Sequence, residues 1–451
     1  RSTLFPYTTL FRSRLVSMKY DIFSSKAPAM PQAGKGTLFV KFLLSQASKD
    51  MREPLIPMAF PALSAHLTDV KFRYSDNKDY ELCGQMGHLI GPSGIGKAQL
   101  THLVEAIMRP FRSHDEIEFQ KLVDWQRQMK TKGANKEKPE RPDVAFWFPP
   151  ADITNAAFIQ NAMACEKMGM RTQYLHLPEV EVADRICGGH RQVSQMVRNI
   201  YDCQRAGALR ATAEGVTGNP KLRVNISFTS TPDAARQFYK KDLTNGFFGR
   251  IPFAYKPRGE RSGRIPRQGT YDEAFLHTLD SYLLRLTNCK GIFVVKQLNK
   301  MADTLAEEMA RLADMADDDM LWELSHRSIF SAWKKGAVLW ILNDQTWSKS
   351  IGDFVEWFCY YDLWSKVKVF GDMFKESDMA NEDNQKNGPK NMLEDLDETF
   401  NEQQLEALRL SIGKTKEGTK RQLRVWKARK FVTYSAQTGM YTKTKEYLKG
   451  E

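Results

Sequence analysis

The chain has 451 residues, 42% of them hydrophobic and 27% charged, which is the composition of a globular protein with two or three domains. Its longest apolar runs fall short of the roughly 18 residues that a membrane span needs, so we expect a cytoplasmic protein without a membrane partner. The six cysteines lie far apart and include no C-x-x-C pair, which indicates reduced, buried thiols instead of a zinc site.

The formal net charge of +12 is concentrated near the end of the chain. Residues 414–451 hold eleven Lys or Arg against three Glu, and so contribute +8 of that charge. A basic segment that also shows apolar periodicity favours contact with nucleic acid. The alternative is a solvated tail that only keeps the protein in solution.

The N-terminal residues 1–13, RSTLFPYTTLFRS, resemble the translation of a sequencing-library adapter and are left out of the fold prediction. We therefore expect the natural chain to begin at Arg14 or later, with 14–53 as the remnant of a longer N-terminal part. The remaining domains are predicted as a strand-and-helix core at 54–270, a subdomain of four long helices at 271–372, a polar linker at 373–391 and a C-terminal module at 392–451.

A glycine-rich loop follows the first clear strand of the core. We predict a short helix and a strand across 54–80, then a strand that ends at Ile90, followed by IGPSGIGKAQ at 90–99. Apolar residues recur at helical spacing from Leu100 to Met108, so a helix begins at the loop. Strand, loop and helix with the spacing G-x-x-x-x-G-K indicate a phosphate-binding loop and hence an ATP site. We assign cofactor binding to Gly91, Ser93, Gly94, Gly96, Lys97 and Ala98.

The loop residues have distinct expected roles. Gly94 and Gly96 let the backbone turn its N–H groups toward phosphate, the helix adds the positive end of its dipole, and Lys97 reaches the β- and γ-phosphates. Ala98 stands where a serine or threonine would coordinate Mg²⁺, and Thr101 is one helical turn too far along to replace it. Water would then take the missing ligand position, with weaker binding of the metal.

The rest of the core alternates between helix and strand. We predict helices at 115–130, 154–166 and 193–206, strands at 144–148, 174–182 and 222–230, and an exposed connector at 131–143. This alternation predicts an α/β fold with a parallel sheet and crossover helices, whose functional loops lie at the carboxyl ends of the strands.

Two acidic residues lie near the end of the apolar segment 174–182. An ATPase needs a carboxylate at the end of a neighbouring strand, to bind the metal or to polarise water. The segment YLHLPEVE supplies Glu179 as the catalytic or metal carboxylate and Glu181 as the second candidate. The alternative is a surface turn whose carboxylates are only solvated.

Later segments of the core carry polar and basic candidates. Thr229 or Ser230, at the end of the next strand, would sense the γ-phosphate or the attacking water, or else only cap the following helix. Arg250 in NGFFGRIPF has the chain order of an arginine finger for its own or a neighbouring subunit. The basic loop KPRGERSGR suits contact with phosphate or a DNA backbone, unless it is simply solvated; its arginines are Arg258, Arg261 and Arg264.

The C-terminal module has the pattern of a winged helix. An amphipathic helix at 405–412, a basic helix at 419–429 and a hairpin at 431–444 follow one another. In that pattern the second helix enters the major groove and the hairpin contacts the DNA backbone. The expected DNA contacts are Lys420, Arg421, Arg424 and Lys427. The alternative is a module that binds protein only.

Five segments together resemble a P-loop helicase family that occurs with primase modules on bacterial mobile elements: GPSGIGK, LPEVE, YDCQRAGALRATAEG, NPKLRVNISFTSTP and NGFFGRIPF. The resemblance covers about residues 50–370 and implies a RecA- or AAA-like P-loop NTPase core with ATP and Mg²⁺ as cofactors. It also implies that the glycine loop binds ATP, that Glu179 activates water and that Arg250 is finger-like. Winged-helix modules are appended to such helicases.

The expected function is that of an ATP-dependent DNA helicase or translocase of mobile-element replication. It would act as a homo-oligomeric ring on single-stranded or forked DNA, with a primase domain or protein as a further partner. Ala98 and Pro178 depart from the family pattern, and both bear on hydrolysis more than on binding. Two alternatives stay open: a nucleotide-binding initiator or regulator that does not hydrolyse ATP, and a DNA-binding protein with a decayed ATPase domain.

Overall fold

The computed structural model describes residues 20–131, 139–169, 171–187, 190–211, 215–240, 242–243, 246–259, 269–316, 318–380, 392–411 and 414–444. The chain divides into two compact units. The sheet unit comprises Met30–Asn299 and Ser331–Val355, and the helical unit comprises Arg1–Ala29, Lys300–Phe330 and Glu356–Glu451. The adapter-like segment 1–13 and most of the connector predicted at 131–143 lie outside the described residues.

The sheet unit begins with two short helices and continues as alternating strands and helices. Its elements are α1 (Leu38–Leu43), α2 (Arg52–Ser64), β1 (Val70–Arg73), β2 (Asp79–Glu81), β3 (Met86–Ile90), α3 (Ala98–Thr131), α4 (Asn155–Lys167), β4 (Gln173–Leu177), α5 (Ala183–Cys187), α6 (His190–Tyr201), β5 (Val224–Ser230), α7 (Pro232–Tyr239), β6 (Phe253–Tyr255), α8 (Glu273–Asn288) and β7 (Gly291–Phe293). Three further long helices, parts of which belong to each unit, are α9 (Lys296–Ala316), α10 (Asp319–Leu342) and α11 (Lys349–Ala380).

A four-stranded parallel sheet forms the centre of the sheet unit, with the strand order β4-β5-β3-β6. Every residue of β3, β4 and β5 is buried, as expected for parallel strands covered on both faces. Helix α2 lies close to β3, because a Cβ at Gly87 would be only 2.8 Å from the Met58 sulfur. The prediction of a mixed α/β fold with a parallel sheet is confirmed. A smaller sheet of order β2-β1-β7 joins the same unit.

Helix α3 begins directly after the glycine loop and is one continuous helix of 34 residues. The predicted division into a first helix and a separate one at 115–130 is therefore wrong. Pro110 lies inside the helix, but proline removes only one backbone donor. Buried residues continue at helical spacing on both sides of it, for example Ile107 and Phe111. Packing of this face stabilises the helix across the proline.

The strand predicted at 144–148 is not formed, and that prediction was wrong. A carboxylate on α3 accepts hydrogen bonds from backbone N–H groups of this segment, which in a strand would donate to the carbonyls of a neighbouring strand. Asp115 accepts from the N–H of Trp147 at 3.0 Å and of Phe148 at 2.8 Å. The Trp147 carbonyl accepts from the Tyr174 N–H at 2.9 Å, so the segment lies along β4 without continuing the ladder.

Two helix starts are fixed by side-chain caps. The Thr154 hydroxyl accepts from the Ala157 N–H at the start of α4, and the Asp272 carboxylate accepts from the Phe275 N–H at the start of α8. The four long helices predicted after residue 271 are all present as α8 to α11, and α11 runs through Ala380 into the segment predicted as a linker. Residues 381–391 of that segment lie outside the described part of the chain.

The end of the helical unit contains the predicted helix, basic helix and hairpin. Its elements are β8 (Thr399–Phe400), α12 (Glu402–Ser411), α13 (Gly418–Ala428), β9 (Val432–Ser435) and β10 (Met440–Lys443). The three strands form an antiparallel sheet of order β8-β10-β9, and the two-residue β8 is an addition to the prediction. Trp426 and Phe400 are fully buried at the centre of the local core.

None of the helices within the described residues has the length and hydrophobicity that crossing a bilayer requires.

Candidate functional site

The glycine loop lies at one edge of the parallel sheet. Strands β3, β4, β5 and β6 all end at this edge, which we call the carboxyl edge, and ligands of open α/β sheets bind there. The loop leaves β3 at Gly91 and enters α3 at Ala98. Its start is fixed by backbone bonds: the Gly91 N–H donates to the Ser230 carbonyl at 3.1 Å, and the Lys256 N–H donates to the Ile90 carbonyl at 2.8 Å.

Two glycines give the loop a conformation that other residues rarely adopt. Gly94 has φ 78° and Gly96 has φ 92°, both in the left-handed region. A Cβ at Gly94 would meet no atom within 4 Å, so this part of the loop faces open space. Gly91 is restricted in another way, because a Cβ there would be 2.2 Å from the Ile95 side chain. The backbone thus forms a tight curve with an accessible outer turn.

The Lys97 amine is folded back onto the loop. Its Nζ donates to the carbonyl oxygen of Gly91 at 2.6 Å and of Pro92 at 3.0 Å. Partial burial lowers the pKa of Lys97 from its usual value. The amine is therefore held at the start of the loop by two neutral acceptors, which an anionic phosphate can replace because a hydrogen bond between two charged groups is stronger.

The hydroxyl position of the motif has no substitute in the neighbouring helical turn. Ala98 is exposed and offers no oxygen. Thr101 Oγ1 lies 2.9 Å from His176 Nε2, so its hydroxyl ties α3 to β4. Burial lowers the pKa of His176 to about 4, and the ring is neutral at physiological pH. The expectation that Thr101 does not replace a hydroxyl at 98 agrees with this contact. Ser93, in the loop itself, is exposed.

The predicted acidic and polar residues also lie at the carboxyl edge. Pro178 and Glu179 follow β4 and are exposed, and Glu181 is exposed in the next turn. The Thr229 hydroxyl, at the end of β5, donates to the Pro178 carbonyl. Because β5 lies between β3 and β4, Thr229 is positioned between the glycine loop strand and the acidic segment.

The neighbouring hydroxyls have other partners. Ser230 Oγ lies 2.8 Å from Nε2 of His88, whose Nδ1 is 2.8 Å from the Tyr239 hydroxyl. Burial lowers the pKa of His88 to about 3, so this is a neutral hydrogen-bonded chain inside the core. Thr231, not Thr229 or Ser230, caps helix α7 by accepting from the Ala234 N–H. Of the two predicted sensors, Thr229 is therefore the one connected to the acidic segment.

Arg250 is not brought together with the glycine loop of its own chain. It precedes β6, and so lies at the opposite, amino edge of the sheet, where the parallel strands begin. Its guanidinium pairs with Asp202 at 3.2 Å and donates to the Gly246 carbonyl at 2.8 Å. The side chain is 16% exposed. In the basic loop KPRGERSGR, Arg258 is exposed, whereas Arg261 and Arg264 lie outside the described residues.

Sequence reasoning missed a second lysine at the carboxyl edge. Lys256 follows the short strand β6, and its Nζ pairs with Asp50 at 3.3 Å. Its carbonyl lies 3.0 Å from the position of a Cβ on Gly91, directly beside the loop. The sequence gives only a weak indication of this position, because β6 has only three residues and directly follows the motif that contains Arg250.

A separate candidate surface lies on α13 in the helical unit. Lys420, Arg424 and Lys427 are exposed and spaced by four and three residues, so they share one face of the helix. The fourth predicted DNA contact, Arg421, pairs with Asp319 at 3.0 Å. The structure thus leaves three of the four predicted cations on an open face and engages the fourth within the unit.

The flank of α13 that carries Arg421 is held against acidic residues at the junction of α9 and α10. Arg429 Nε pairs with the Asp314 carboxylate at 2.5 Å, and the buried Gln422 donates to the Asp314 carbonyl at 3.0 Å. The helix therefore has one flank bound internally and one basic face toward solvent.

No protein-family model matches the chain, and a search of curated proteins gives no significant match. The function must therefore be inferred from the chemistry of the carboxyl edge and of the α13 surface.

Proposed function

We propose that the chain is an ATP-dependent DNA helicase or translocase of mobile-element replication, with a RecA- or AAA-like P-loop core and a C-terminal winged helix. The observation that carries the proposal is the curve at the carboxyl edge, in which Gly94 and Gly96 have positive φ and Lys97 directly precedes a long helix. Such a curve presents backbone N–H groups and the positive end of a helix dipole, the two features that bind phosphate.

The resting contacts of Lys97 support a phosphate ligand. The amine bridges two loop carbonyls, and when it turns to phosphate it exchanges hydrogen bonds to neutral acceptors for hydrogen bonds to an anion. Partial burial strengthens its attraction to an anion, because the local dielectric is lower than in water. The residues present therefore fit the phosphates of ATP.

The donor set for Mg²⁺ is weaker than that for phosphate. Magnesium ions neutralise the charge on the phosphates, and they usually retain several water ligands. Ala98 supplies no side-chain oxygen, so Glu179 and Ser93 are the exposed candidates at the carboxyl edge, with water filling the remaining positions. This difference favours retained binding with slow hydrolysis.

For hydrolysis, Glu179 polarises the attacking water, with Glu181 as the second candidate. Thr229 holds the peptide before Glu179 through its bond to the Pro178 carbonyl, and so positions the carboxylate. Arg250 lies at the other edge of the sheet, and so would serve a neighbouring copy in a homo-oligomeric ring after releasing Asp202. A finger in trans is an established arrangement for such an arginine.

DNA contact is assigned to the open face of α13. Its three cations, at helical spacing, suit contact with successive phosphates of the DNA backbone. Such contacts supply the part of the binding affinity that falls as the salt concentration rises. Single-stranded or forked DNA is the proposed substrate, with a primase domain or protein as a further partner.

The test measures binding of a fluorescent ATP analogue and steady-state ATPase activity, with and without single-stranded DNA. We expect Lys97→Ala to weaken nucleotide binding about 100-fold, the upper range for loss of a charged hydrogen-bond partner. Glu179→Gln should retain binding and reduce turnover about 100-fold or more. Lys71→Ala, which removes an exposed lysine from β1, is the matched control and should leave both unchanged.

The same measurements separate the alternatives. Binding that depends on Lys97 but shows no turnover at any Mg²⁺ concentration would favour the non-hydrolysing initiator or regulator, which the alanine at 98 specifically supports. Absence of nucleotide binding together with DNA binding would indicate a decayed ATPase domain. A turnover rate that is the same in the wild type, Lys97→Ala and Glu179→Gln would contradict the motor assignment.

A further inference from the structure

Two cysteines from distant parts of the sequence meet near the amino edge of the parallel sheet. Cys83 precedes β3, and Cys203 lies in the turn after α6. Their sulfur atoms are 3.0 Å apart, although 120 residues separate them along the chain. Cys83 is 2% exposed and Cys203 is 8% exposed, so Cys203 is the one that solvent reaches more easily.

The backbone on both sides is shaped for this close approach. Gly84 has φ 71°, and a Cβ there would lie 2.6 Å from the Ile200 carbonyl oxygen. Cys203 itself has φ 50°, which is uncommon for a residue with a side chain. Its N–H donates to the Ile200 carbonyl at 3.0 Å, which closes the turn. The fold therefore holds the two thiols together at a position of unusual backbone conformation.

Charged groups around the pair favour one thiolate. The pKa of Cys203 is lowered, first by a hydrogen bond from Cys83 and then by the positive charge of Lys334. Lys334 Nζ donates to the Cys83 backbone carbonyl at 3.0 Å, and its positive charge acts on the Cys203 thiol. The hydrogen bond to Cys203 and burial raise the pKa of Cys83. Its greater exposure, together with these charges, makes Cys203 the better placed nucleophile, with Cys83 as the sulfur that reacts second.

We propose that Cys83 and Cys203 are a modification site, at which a peroxide converts the pair of thiols into a reversible disulfide. The Cys203 thiolate attacks one peroxide oxygen, which forms a sulfenic acid and releases hydroxide. The Cys83 sulfur then attacks the Cys203 sulfur and displaces the hydroxyl group as water. Two electrons pass from the sulfurs to the peroxide, and two thiols and one hydrogen peroxide yield one disulfide and two waters. The sulfurs must approach by about 1 Å to reach bonding distance.

A metal site is the competing use of the same atoms. The Glu81 carboxylate, with Cys83 and Cys203, would offer three ligands. However, Lys221 pairs with one oxygen of Glu81, and Arg223 Nε lies 3.2 Å from the other. A cation would have to displace these positive charges and still find a fourth ligand, because structural zinc sites are four-coordinate. The surroundings therefore favour thiol oxidation.

The site has a consequence for the amino edge. Asp202, which pairs with Arg250, immediately precedes Cys203. A bond from Cys203 to Cys83 fixes this turn, and so restrains Asp202 while it holds the arginine. This consequence depends on the proposed function, in which Arg250 must leave Asp202 to reach a neighbouring copy; the disulfide itself does not depend on it.

The experiment treats the reduced full chain with hydrogen peroxide, blocks remaining thiols with iodoacetamide, and maps peptides by mass spectrometry without reduction. We expect a linked peptide pair containing Cys83 and Cys203, with a mass loss of two hydrogens, and its disappearance after dithiothreitol. Cys203→Ser should abolish the pair. Cys289→Ser, which removes another buried thiol, is the control and should retain it.

Mapping of the wild-type chain needs no variant, so poor folding of Cys203→Ser would not obscure the result. Peroxide treatment that leaves Cys83 and Cys203 unlinked would overturn the proposal, as would stoichiometric zinc that protects both thiols until a chelator removes it. ATPase activity of the oxidised and reduced chains reports separately on Arg250. If neither form turns over ATP, the proposed function fails while the linked peptide still identifies the modification site.

Discussion

The glycine loop and the basic helix α13 differ in what makes each of them a candidate site. The loop owes its shape to backbone: two glycines with positive φ, a strand that ends in front of it and a helix that begins behind it. The basic helix owes its character to side-chain charge, and one of its four predicted cations is already paired within its own unit. A backbone site is thus specified locally, whereas a charged surface depends on which acidic residues the fold brings next to it.

Charge reversal on the open face of α13 is the strongest way to test this comparison. The double variant Lys420→Glu with Arg424→Glu should weaken DNA binding about 100-fold or more, because two cations are lost and two repulsive charges are added. The slope of log affinity against log salt concentration should fall in magnitude by about 1.5 to 2. Fluorescence anisotropy with labelled single-stranded and forked DNA across a salt series measures both.

The control for this experiment is Lys71→Glu with Lys78→Glu, which makes the same change in net charge at exposed positions of the sheet unit. We expect a small effect that is uniform across DNA forms. If the control weakens binding as much as the α13 variant does, net charge alone governs binding, and the assignment of this face is wrong.

Local patterns predicted the loop and its context. Ile90, the glycines and Lys97 lie in a contiguous stretch, and the strand, loop and helix appear where the sequence indicated. The caps at Thr154 and Asp272 are local in the same sense, since each depends on a bond that spans only three residues. Short-range hydrogen bonds and hydrophobic periodicity are the information that a single sequence displays most directly.

Features that depend on long-range partners could not be read in this way. The predicted strand at 144–148 failed because Asp115, about thirty positions earlier, binds its backbone donors. Arg250 followed the expected chain order, but the order along the chain does not show that it lies at the opposite edge of the sheet from the loop. The contact between Arg421 and Asp319 spans 102 residues and has no sequence signature.

Introducing a hydroxyl at position 98 tests whether the alanine there weakens the binding of Mg²⁺. Ala98→Ser adds a side-chain oxygen at an exposed position that begins a helix, where serine is well tolerated. We expect the Mg²⁺ concentration for half-maximal ATPase activity to fall about tenfold, in line with one added hydrogen-bonding or ligating group. Nucleotide affinity without Mg²⁺ should not change, because the phosphate contacts are backbone groups and Lys97.

Thr101→Val is the matched control for this variant, since it removes a hydroxyl one helical turn away that is bound to His176. It should leave the Mg²⁺ dependence as in the wild type. An identical Mg²⁺ dependence in Ala98→Ser and the wild type would show that the residue at 98 does not face the metal, and the phosphate assignment of the loop would lose its geometric basis.

The smallest expected effect concerns the paired flank of α13. Asp319 and Arg421 are 75% and 62% exposed, and exposed ion pairs contribute little free energy. Asp319→Asn should therefore free Arg421 for phosphate at low cost and strengthen DNA binding about two- to fivefold at low salt. Glu323→Gln, which removes the same charge one turn further along α10, is the control and should have less effect. A gain that disappears when Arg421→Ala is added would show that the acidic residue competes with DNA for this arginine, whereas a loss of affinity would mean that Asp319 holds Arg421 in place for DNA.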